Sequence, residues 1–397
     1  MIDNEELIQK LKLLDELQSN CNNCGLCLEA CTTYQASGWE HESPRGRIRL
    51  AGNLINGYIK PESEILHTFD RCIACNSCEL VCPSKVEYGK IRETVQEIRS
   101  DLIQKSPSKS NSVLKKWVKL CYRIGSDLWK QFGYKWLRWP VKSKGSYLKK
   151  NGAKSNKQQS ITLSVSCVQD LFHHEILDDT IKFLRQIGLT VHLDKNQPCC
   201  GAIFDRIVKG GYEGISSPEE HKKAKIFQKR RLNRYKEWLK DSTTSVSLGC
   251  SCFVQKNVPE KSSYITDIHQ LILQVVEERQ LKILIPKEMT VYYQKYCCIS
   301  GKREEDSIRI LLEKVQGLTV KNIGNSMSCC GGYAFESIWH PENAKSLLAQ
   351  TIQSLPEDAV IVVSSPDCYQ QFKTNGGPQM RIVYPIQLFL EASVISC

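Results

Sequence analysis

Eight cysteines near the N-terminus are spaced for iron–sulfur chemistry. Cys21, Cys24, Cys27 and Cys31 form C-x2-C-x2-C-x3-C, and Cys72, Cys75, Cys78 and Cys82 repeat it, with Pro83 following. Three thiolates at i, i+3 and i+6 on a tightly wound loop converge on three corners of a cubane. The fourth, beyond a turn that starts a helix, points to a neighbouring one. The spacing therefore gathers Cys21, Cys24, Cys27 and Cys82 around one [4Fe-4S] cluster, and Cys72, Cys75, Cys78 and Cys31 around a second. Zinc fits less well, because four-cysteine zinc sites draw their C-x2-C pairs from well-separated stretches. Cys31 is followed by Thr32 rather than proline, a departure that removes no ligand. Between the motifs, Ser43-Pro44-Arg45-Gly46-Arg47 has two readings. It either places guanidinium groups near the clusters, where they raise the potentials, or is a capped helix start with surface arginines.

A second set of cysteines belongs to an internal repeat. Ile161–Cys167 alternates like a half-buried strand. A helical pattern with Ile181, Leu184 and Ile187 on one face follows, then a short strand at Leu189–Leu193, then Cys199-Cys200-Gly201. Val291–Cys297, a helix carrying Ile308, Leu311, Leu312 and Val315, a strand at Leu318–Ile323 and Cys329-Cys330-Gly331 repeat that order. The leading cysteine and the CCG are 32 residues apart in both halves. Helices near 217–240 and 341–354 then lead into strands at 244–249 and 359–364, each ending close to a cysteine, Cys250 or Cys368. Final amphipathic helices near 266–278 and 385–392 close the halves.

Strands alternating with helices predict α/β units with mainly parallel sheets. Each cysteine falls at or just past the C-terminal end of a strand, the edge where open α/β sheets bind ligands. Cys167, Cys199, Cys200 and Cys250 are therefore expected to converge in one half, and Cys297, Cys329, Cys330 and Cys368 in the other. The glycine after each pair suits close approach to a bulky cofactor. Buried structural thiols are the plainer alternative for these residues. The expected organisation is a mainly helical two-cluster domain (1–100), a linker (101–160) and two cysteine-rich α/β domains (161–280 and 281–397).

The 397-residue chain holds 20 cysteines, and neither a secretory leader nor a membrane span is legible. The expectation is a reducing, cytoplasmic setting in which these thiols serve metal rather than disulfides. Net charge is +11, but residues 102–160 hold fifteen Lys/Arg against the single acid Asp127. Trp117, Trp129, Trp136 and Trp139 lie in the same stretch. It reads either as a solvated linker or as a peripheral contact with the anionic inner face of the cell membrane. No nucleic-acid-binding motif accompanies it, and no nucleic-acid partner is expected.

The CCG repeats resemble the cysteine-rich domains of the heterodisulfide reductase B subunit. A two-cluster ferredoxin-type N-terminus joined to two such domains resembles the iron–sulfur subunit of glycolate oxidase (glycolate dehydrogenase). It also resembles the iron–sulfur subunit of anaerobic glycerol-3-phosphate dehydrogenase. The phrases CNNCGLCLEACTTYQ, SPRGRIRL, DRCIACNSCELVCPS, CCGAIFD, SLGCSCF and SCCGGYAF carry the glycolate-oxidase likeness over nearly the full length. The resemblance implies an electron-transfer subunit beside one or two FAD-containing dehydrogenase subunits, delivering electrons to a quinone or similar acceptor. The chain has no G-x-G-x-x-G after a strand, no P-loop and no nucleophile elbow. Hydroxy-acid oxidation is thus expected on a partner, and no catalytic residue is assigned here. The alternatives are the glycerol-3-phosphate role and a thiol or heterodisulfide reductase with chemistry at the CCG sites. The fullest cysteine-rich domains end each half in C-x2-C. Here Cys250-Ser251-Cys252 and Ser365 before Cys368 depart from that. Four ligands per half leave a further iron–sulfur cluster, a zinc ion or, in one half, nothing as occupants.

Overall fold

The computed structural model describes residues 4–102, 160–165, 169, 173–194, 197–198, 218–241, 245–247, 265–295, 306–323, 329–332 and 341–396. The basic stretch from 103 to 159 lies outside these residues, as do Cys121, Cys167, Cys199, Cys200, Cys250, Cys252, Cys297, Cys298 and Cys397. No helix of the described residues is long and apolar enough to cross a membrane.

Helices α1 (Asn4–Ser19), α2 (Thr32–Ser37), α3 (Pro44–Ile55), α4 (Thr68–Arg71), α5 (Ser77–Leu80) and α6 (Tyr88–Leu102) build the N-terminal region. A 3-10 turn at Glu40–Glu42 precedes α3, and another at Glu64–His67 precedes α4. Leu14 and Leu17 of α1, Ile48, Ala51 and Leu54 of α3, and Ile91, Val95 and Ile98 of α6 pack into one core around Leu66 and Phe69. Helix α3 starts where a serine–proline pair should start one. The Ser43 Oγ accepts the Gly46 N–H at 2.9 Å, and Pro44 occupies the first turn, where its missing N–H costs nothing.

The remainder is α/β. The first unit runs β1 (Ser160–Ser164), α7 (His174–Gln186), β2 (Thr190–Leu193), α8 (Pro218–Asp241), β3 (Ser245–Ser247), β4 (Ile265–Asp267) and α9 (Ile268–Glu278). Its sheet has the order β2-β1-β3-β4 with every neighbour parallel. The second runs β5 (Leu281–Gln294), α10 (Ser307–Glu313), β6 (Val315–Asn322), α11 (Pro341–Ile352), β7 (Val360–Val363), α12 (Pro366–Asn375), β8 (Arg381–Val383), α13 (Pro385–Glu391) and β9 (Ser393–Ser396). Its order, β6-β5-β7-β8, is the same arrangement again. In both sheets the strand order reverses beside the first strand, between β1 and β3 and between β5 and β7, the switch point at which open α/β sheets bind ligands.

The second unit departs from the sequence reading in two places. Val315 was expected on the helix with Ile308, Leu311 and Leu312. It is buried, but it begins β6, because the helix ends at Glu313. Strand β5 starts at Leu281, ten residues before the expected Val291. Its early half pairs antiparallel with β9, an exception to the otherwise parallel sheet. Pro286 lies between the two halves, and the register with β6 shifts between Leu284 and Met289.

The two units are not separate globules. Phe183 of α7 and Phe389 of α13 stand 5.5 Å apart between ring centres, and Gln387 Nε2 donates to Asp179 Oδ2 at 3.2 Å. Ile161, Leu163, Ile268 and Ile272 share one apolar core with Val291, Leu311, Leu312 and Phe389. His173, just before α7, packs at this junction. Its Nε2 lies 2.6 Å from Gln370 Oε1, and its ring meets Tyr369 edge-on.

Candidate metal centre

The two N-terminal cysteine loops have the same backbone. In Cys21–Cys27 the left-handed residues are Asn23 (φ 60°) and Gly25 (φ 86°). In Cys72–Cys78 they are Ala74 (φ 55°) and Asn76 (φ 58°), at the corresponding positions. Ala74 has no side chain that favours this conformation, so its surroundings hold it there at about 1–2 kcal/mol. Left-handed residues two apart wind the chain tightly, the kind of geometry that turns backbone N–H groups toward an anion. The backbone already reaches sulfur. Val86 N–H donates to Cys82 Sγ at 3.4 Å, and the backbone N–H groups of Ala74 and Arg45 lie near Cys72 and Cys27.

Cys21, Cys24, Cys27 and Cys82 line one cavity that opens to solvent. Its walls are Pro44, Arg45 and Ile48 of α3 together with Val86, Tyr88 and Cys78. Cys24 is exposed, so this site faces solvent. Cys31, Cys72 and Cys78 are buried, with Cys75 half-buried. Burial drives the Cys78 thiol well above its ordinary range, and the neighbouring Cys75, Cys72 and Cys31 add to the effect. Burial also pushes Cys27 up to about 11. Cys72 goes the other way. Its burial is outweighed by the Arg47 and Arg92 charges, the Ala74 N–H and the Tyr88 hydroxyl beside it, which hold its thiol below the usual value.

Two arginines of α3 serve the two sites differently. Arg45 lies beside Cys27, with its Nε 2.7 Å from Glu40 Oε1. Arg47 is 0% exposed. It donates Nε to the Thr68 carbonyl (3.0 Å), Nη1 to Thr33 Oγ1 (3.1 Å) and Nη2 to Glu42 Oε2 (2.6 Å). Burial opposes its charge, but Tyr88, Cys72, Cys31 and Glu42 around it keep the guanidinium more firmly protonated than usual. The stretch is thus a capped helix start, with Arg47 in the core rather than on the surface. Glu42 bridges Arg47 to Arg71, whose Nε reaches Glu42 Oε1 at 2.5 Å. The Asp70 carboxylate is held by His67, Arg99 and Gln96, far enough to bring it down to about 2 despite burial. Asp70→Ala leaves Arg99 buried without its anion. It should cost the folded protein about 3–5 kcal/mol, read as a lowered denaturant midpoint at unchanged slope.

This donor set fits iron–sulfur clusters. Among the described residues no three Cys, His, Asp or Glu side chains meet closely enough to hold a single metal ion. The sulfurs stand around a cavity, as a multi-atom group requires. Four buried polar atoms on or next to the inner cysteine set have no hydrogen-bond partner: Thr32 Oγ1, Ser77 Oγ, Tyr88 Oη (apart from the Cys72 sulfur it stands beside) and Arg92 Nη2. Native interiors rarely leave such groups idle, and a bound anion with sulfur acceptors would employ them. Sequence reasoning missed Tyr88, Arg92 and Glu42. The legible signal was α6 itself, which carries Arg92, Gln96 and Arg99 beside its apolar Ile91, Val95 and Ile98.

In the second α/β unit, Cys330 and Cys368 meet with their sulfurs 3.0 Å apart, at the point where β7 gives way to α12. Gly332 N–H donates to Cys330 Sγ at 3.4 Å. Cys329, next to Cys330 in the chain, is buried as well. It packs with Leu347 of α11 against Ile73, Cys75 and Ala36 of the N-terminal region, and Gln350 Nε2 donates to the Gln35 carbonyl at 3.2 Å. Of the expected set Cys297, Cys329, Cys330 and Cys368, the last three are buried, and Cys330 and Cys368 are in contact. Cys297 lies outside the described residues, as does the expected group of Cys167, Cys199, Cys200 and Cys250. Gly331 has φ 75°, which answers for the glycine without a cofactor. A Cβ on Gly332 would sit 2.6 Å from the Asp367 carbonyl oxygen.

Comparison with known proteins agrees with this arrangement. The 4Fe-4S dicluster domain family matches residues 17–86, and the cysteine-rich (CCG) domain family matches residues 291–373. The latter match covers the second α/β unit only, where the repeat had suggested two such domains. The chain is 24% identical to a probable glycolate oxidase iron–sulfur subunit of Bacillus subtilis, over 94% of each chain. It is 22% identical to the glycolate oxidase iron–sulfur subunit of Escherichia coli, over 95% of each. A lactate utilization protein A of Shouchella clausii is 23% identical over 53% of this chain and 87% of its own. Nearly end to end, the chain is similar to glycolate oxidase iron–sulfur subunits and carries dicluster and cysteine-rich domains.

Proposed function

We propose that this chain is the iron–sulfur electron-transfer subunit of a flavin-dependent 2-hydroxy-acid dehydrogenase of the glycolate type. The observation that carries the reading is the pair of four-cysteine sets on either side of α3, in a chain whose full-length relatives are glycolate oxidase iron–sulfur subunits. In this reading Cys21, Cys24, Cys27 and Cys82 hold one [4Fe-4S] cluster, and Cys31, Cys72, Cys75 and Cys78 hold the other. Such clusters carry one electron at a time, whereas removing two hydrogens from a hydroxy acid is flavin or nicotinamide chemistry. An FAD-containing partner subunit therefore converts between the two. The chain's own residues position, insulate and charge the clusters.

The geometry also supports an order. The solvent-facing set beside exposed Cys24 is the port for the flavin partner, and the buried set is the inner relay. The seam of Ile73, Cys75 and Ala36 with Cys329 and Leu347 leads from that relay to the cysteine-rich unit. There Cys330 and Cys368, with Cys297, are candidates to hold a further cluster or a zinc ion. The first unit, which has the same strand order, is read as a second cysteine-rich domain, built on Cys167, Cys199, Cys200 and Cys250. From there electrons leave to a quinone or a similar acceptor, and the basic 103–159 stretch supplies a peripheral contact with the membrane. The end-to-end relatives favour the glycolate role over the glycerol-phosphate one.

The test is anaerobic isolation of the full chain, alone and with its flavoprotein partner. Isolated protein is expected to carry at least about eight irons and eight acid-labile sulfides, with broad visible absorbance that dithionite bleaches. It should oxidise no hydroxy acid until the flavoprotein is added. Colourless protein, or turnover by the chain alone, would overturn the reading.

A further inference from the structure

Helix α6 buries two adjacent stripes. One is apolar. The other is polar: Tyr88, Arg92, Gln96 and Arg99 follow one another at helical spacing, none more than 4% exposed. Two of them are engaged through their N–H groups by the chain in front of Cys72, although Gln96 Oε1 has no partner. Gln96 Nε2 donates to the Phe69 carbonyl and to Asp70 Oδ1, both at 3.2 Å, and Arg99 Nη1 donates to Asp70 Oδ2 at 3.0 Å. Arg92 and Tyr88 are engaged only in part. Arg92 Nε donates to the Phe69 carbonyl at 3.3 Å, which anchors the guanidinium next to the Cys72 loop. Its Nη2 has no acceptor, and Tyr88 Oη has none besides the Cys72 sulfur it stands beside. No carboxylate is paired with Arg92 among the described residues. The nearest acid along this face, Asp70, is taken by Arg99. A buried cation with an idle N–H and no counter-anion is costly. An anion with acceptor atoms on the Cys72 side would remove the cost.

We propose that Arg92 Nη2 and Tyr88 Oη donate hydrogen bonds to sulfur atoms of the cluster bound by Cys31, Cys72, Cys75 and Cys78. With buried Arg47, they set the potential of that cluster; Tyr88 also walls the outer cavity, but its hydroxyl stands beside Cys72, so the neighbouring potential stays in place. The proposal rests on the reading that both cysteine sets hold clusters. One-electron reduction adds a negative charge and breaks no bond in the protein. Cations and donors favour the more negative state, and burial disfavours it. The inner site is the more buried, so without these groups it would be the harder one to reduce. Arg45 at the outer site is partly exposed and already paired with Glu40, and it has no comparable companions.

The experiment is an EPR-monitored redox titration of full-length protein, prepared without oxygen, for wild type, Tyr88→Phe, Arg92→Gln, Arg92→Lys and Arg45→Gln. Wild-type iron and sulfide content tests the underlying reading first. Given two clusters, Arg92→Gln and Tyr88→Phe are each expected to lower one midpoint potential and leave the other in place. Arg92→Lys should recover part of the shift, and Arg45→Gln should move the other cluster. Equal shifts of both clusters, or unchanged potentials in fully loaded Tyr88→Phe and Arg92→Gln proteins, overturn the proposal. Should Arg92→Gln fail to load the inner cluster, Tyr88→Phe, which removes a single oxygen, decides alone.

Discussion

Replacing Cys31 and Cys72 together by alanine is expected to remove about four irons per chain, while replacing Cys27 and Cys31 together removes about eight. The difference follows from crossed ligation. If each motif filled its own cluster, Cys27 and Cys31 would belong to the same one, and losing both would remove only about four. The structure supports the crossed scheme from both sides. Cys82, the last cysteine of the second motif, lines the cavity of Cys21, Cys24 and Cys27. Cys31, the last of the first, is buried like Cys72 and Cys78 and acts on the Cys78 thiol together with Cys75 and Cys72, although it also acts on Cys27. Iron and acid-labile sulfide analysis of the two double variants, purified side by side without oxygen, separates the schemes. The reverse pattern, about four irons lost from the Cys27/Cys31 variant and about eight from the Cys31/Cys72 variant, would mean that ligation is not crossed.

Gly46→Ala should be among the most damaging substitutions that touch no cysteine. A Cβ there would lie 1.9 Å from the Glu40 carbonyl oxygen and 2.7 Å from its carbon. These are backbone atoms, so no rotamer relieves the clash. The 3-10 turn cannot retreat easily either, because Ser43 N–H is bonded to the Glu40 carbonyl at 2.9 Å and Glu42 is clamped by Arg47 and Arg71. Overpacking ordinarily costs about 1–3 kcal/mol. With backbone on both sides the expected loss is at the top of that range or beyond. The displacement would also pull Arg45 and Arg47 away from their sites. Denaturant unfolding and cluster content would both register it, and an alanine variant as stable and as iron-rich as wild type would refute the packing argument.

The parts of this molecule that were legible in the sequence are those governed by local periodicity or by spacing. The cysteine intervals gave the two sets, and Ile181, Leu184 and Ile187 gave the inner face of α7. Short strands were not legible. β4 and β8 have three residues each, too few to show alternation, and they exist only because parallel neighbours align them. The early half of β5 was hidden because Ile285-Pro286-Lys287-Glu288 looks like a break, yet the strand survives it as a register shift. Arg47 and Arg92 illustrate a different limit. A charged residue on a helix is normally solvated, and nothing in its neighbours along the chain says that it will be buried. That depends on Cys31 and Cys72, which only the tertiary fold brings alongside. The packing of Cys329 against the N-terminal region was not legible for a related reason. Its pairing in sequence with Cys330 says nothing about which way each side chain turns once the loop meets α2 and α11.

The common apolar core under both sheets bears on how this polypeptide could have arisen and how it can be dissected. A duplicated gene segment usually leaves modules that can be expressed, shuffled or crystallised one at a time. Here each copy supplies the wall that shields the other from water, so a cut near residue 280 would release two sticky fragments. Whatever ancestral independence the repeat once had, the present halves are obligate companions, and laboratory truncations intended to isolate the cysteine-rich portion should keep both.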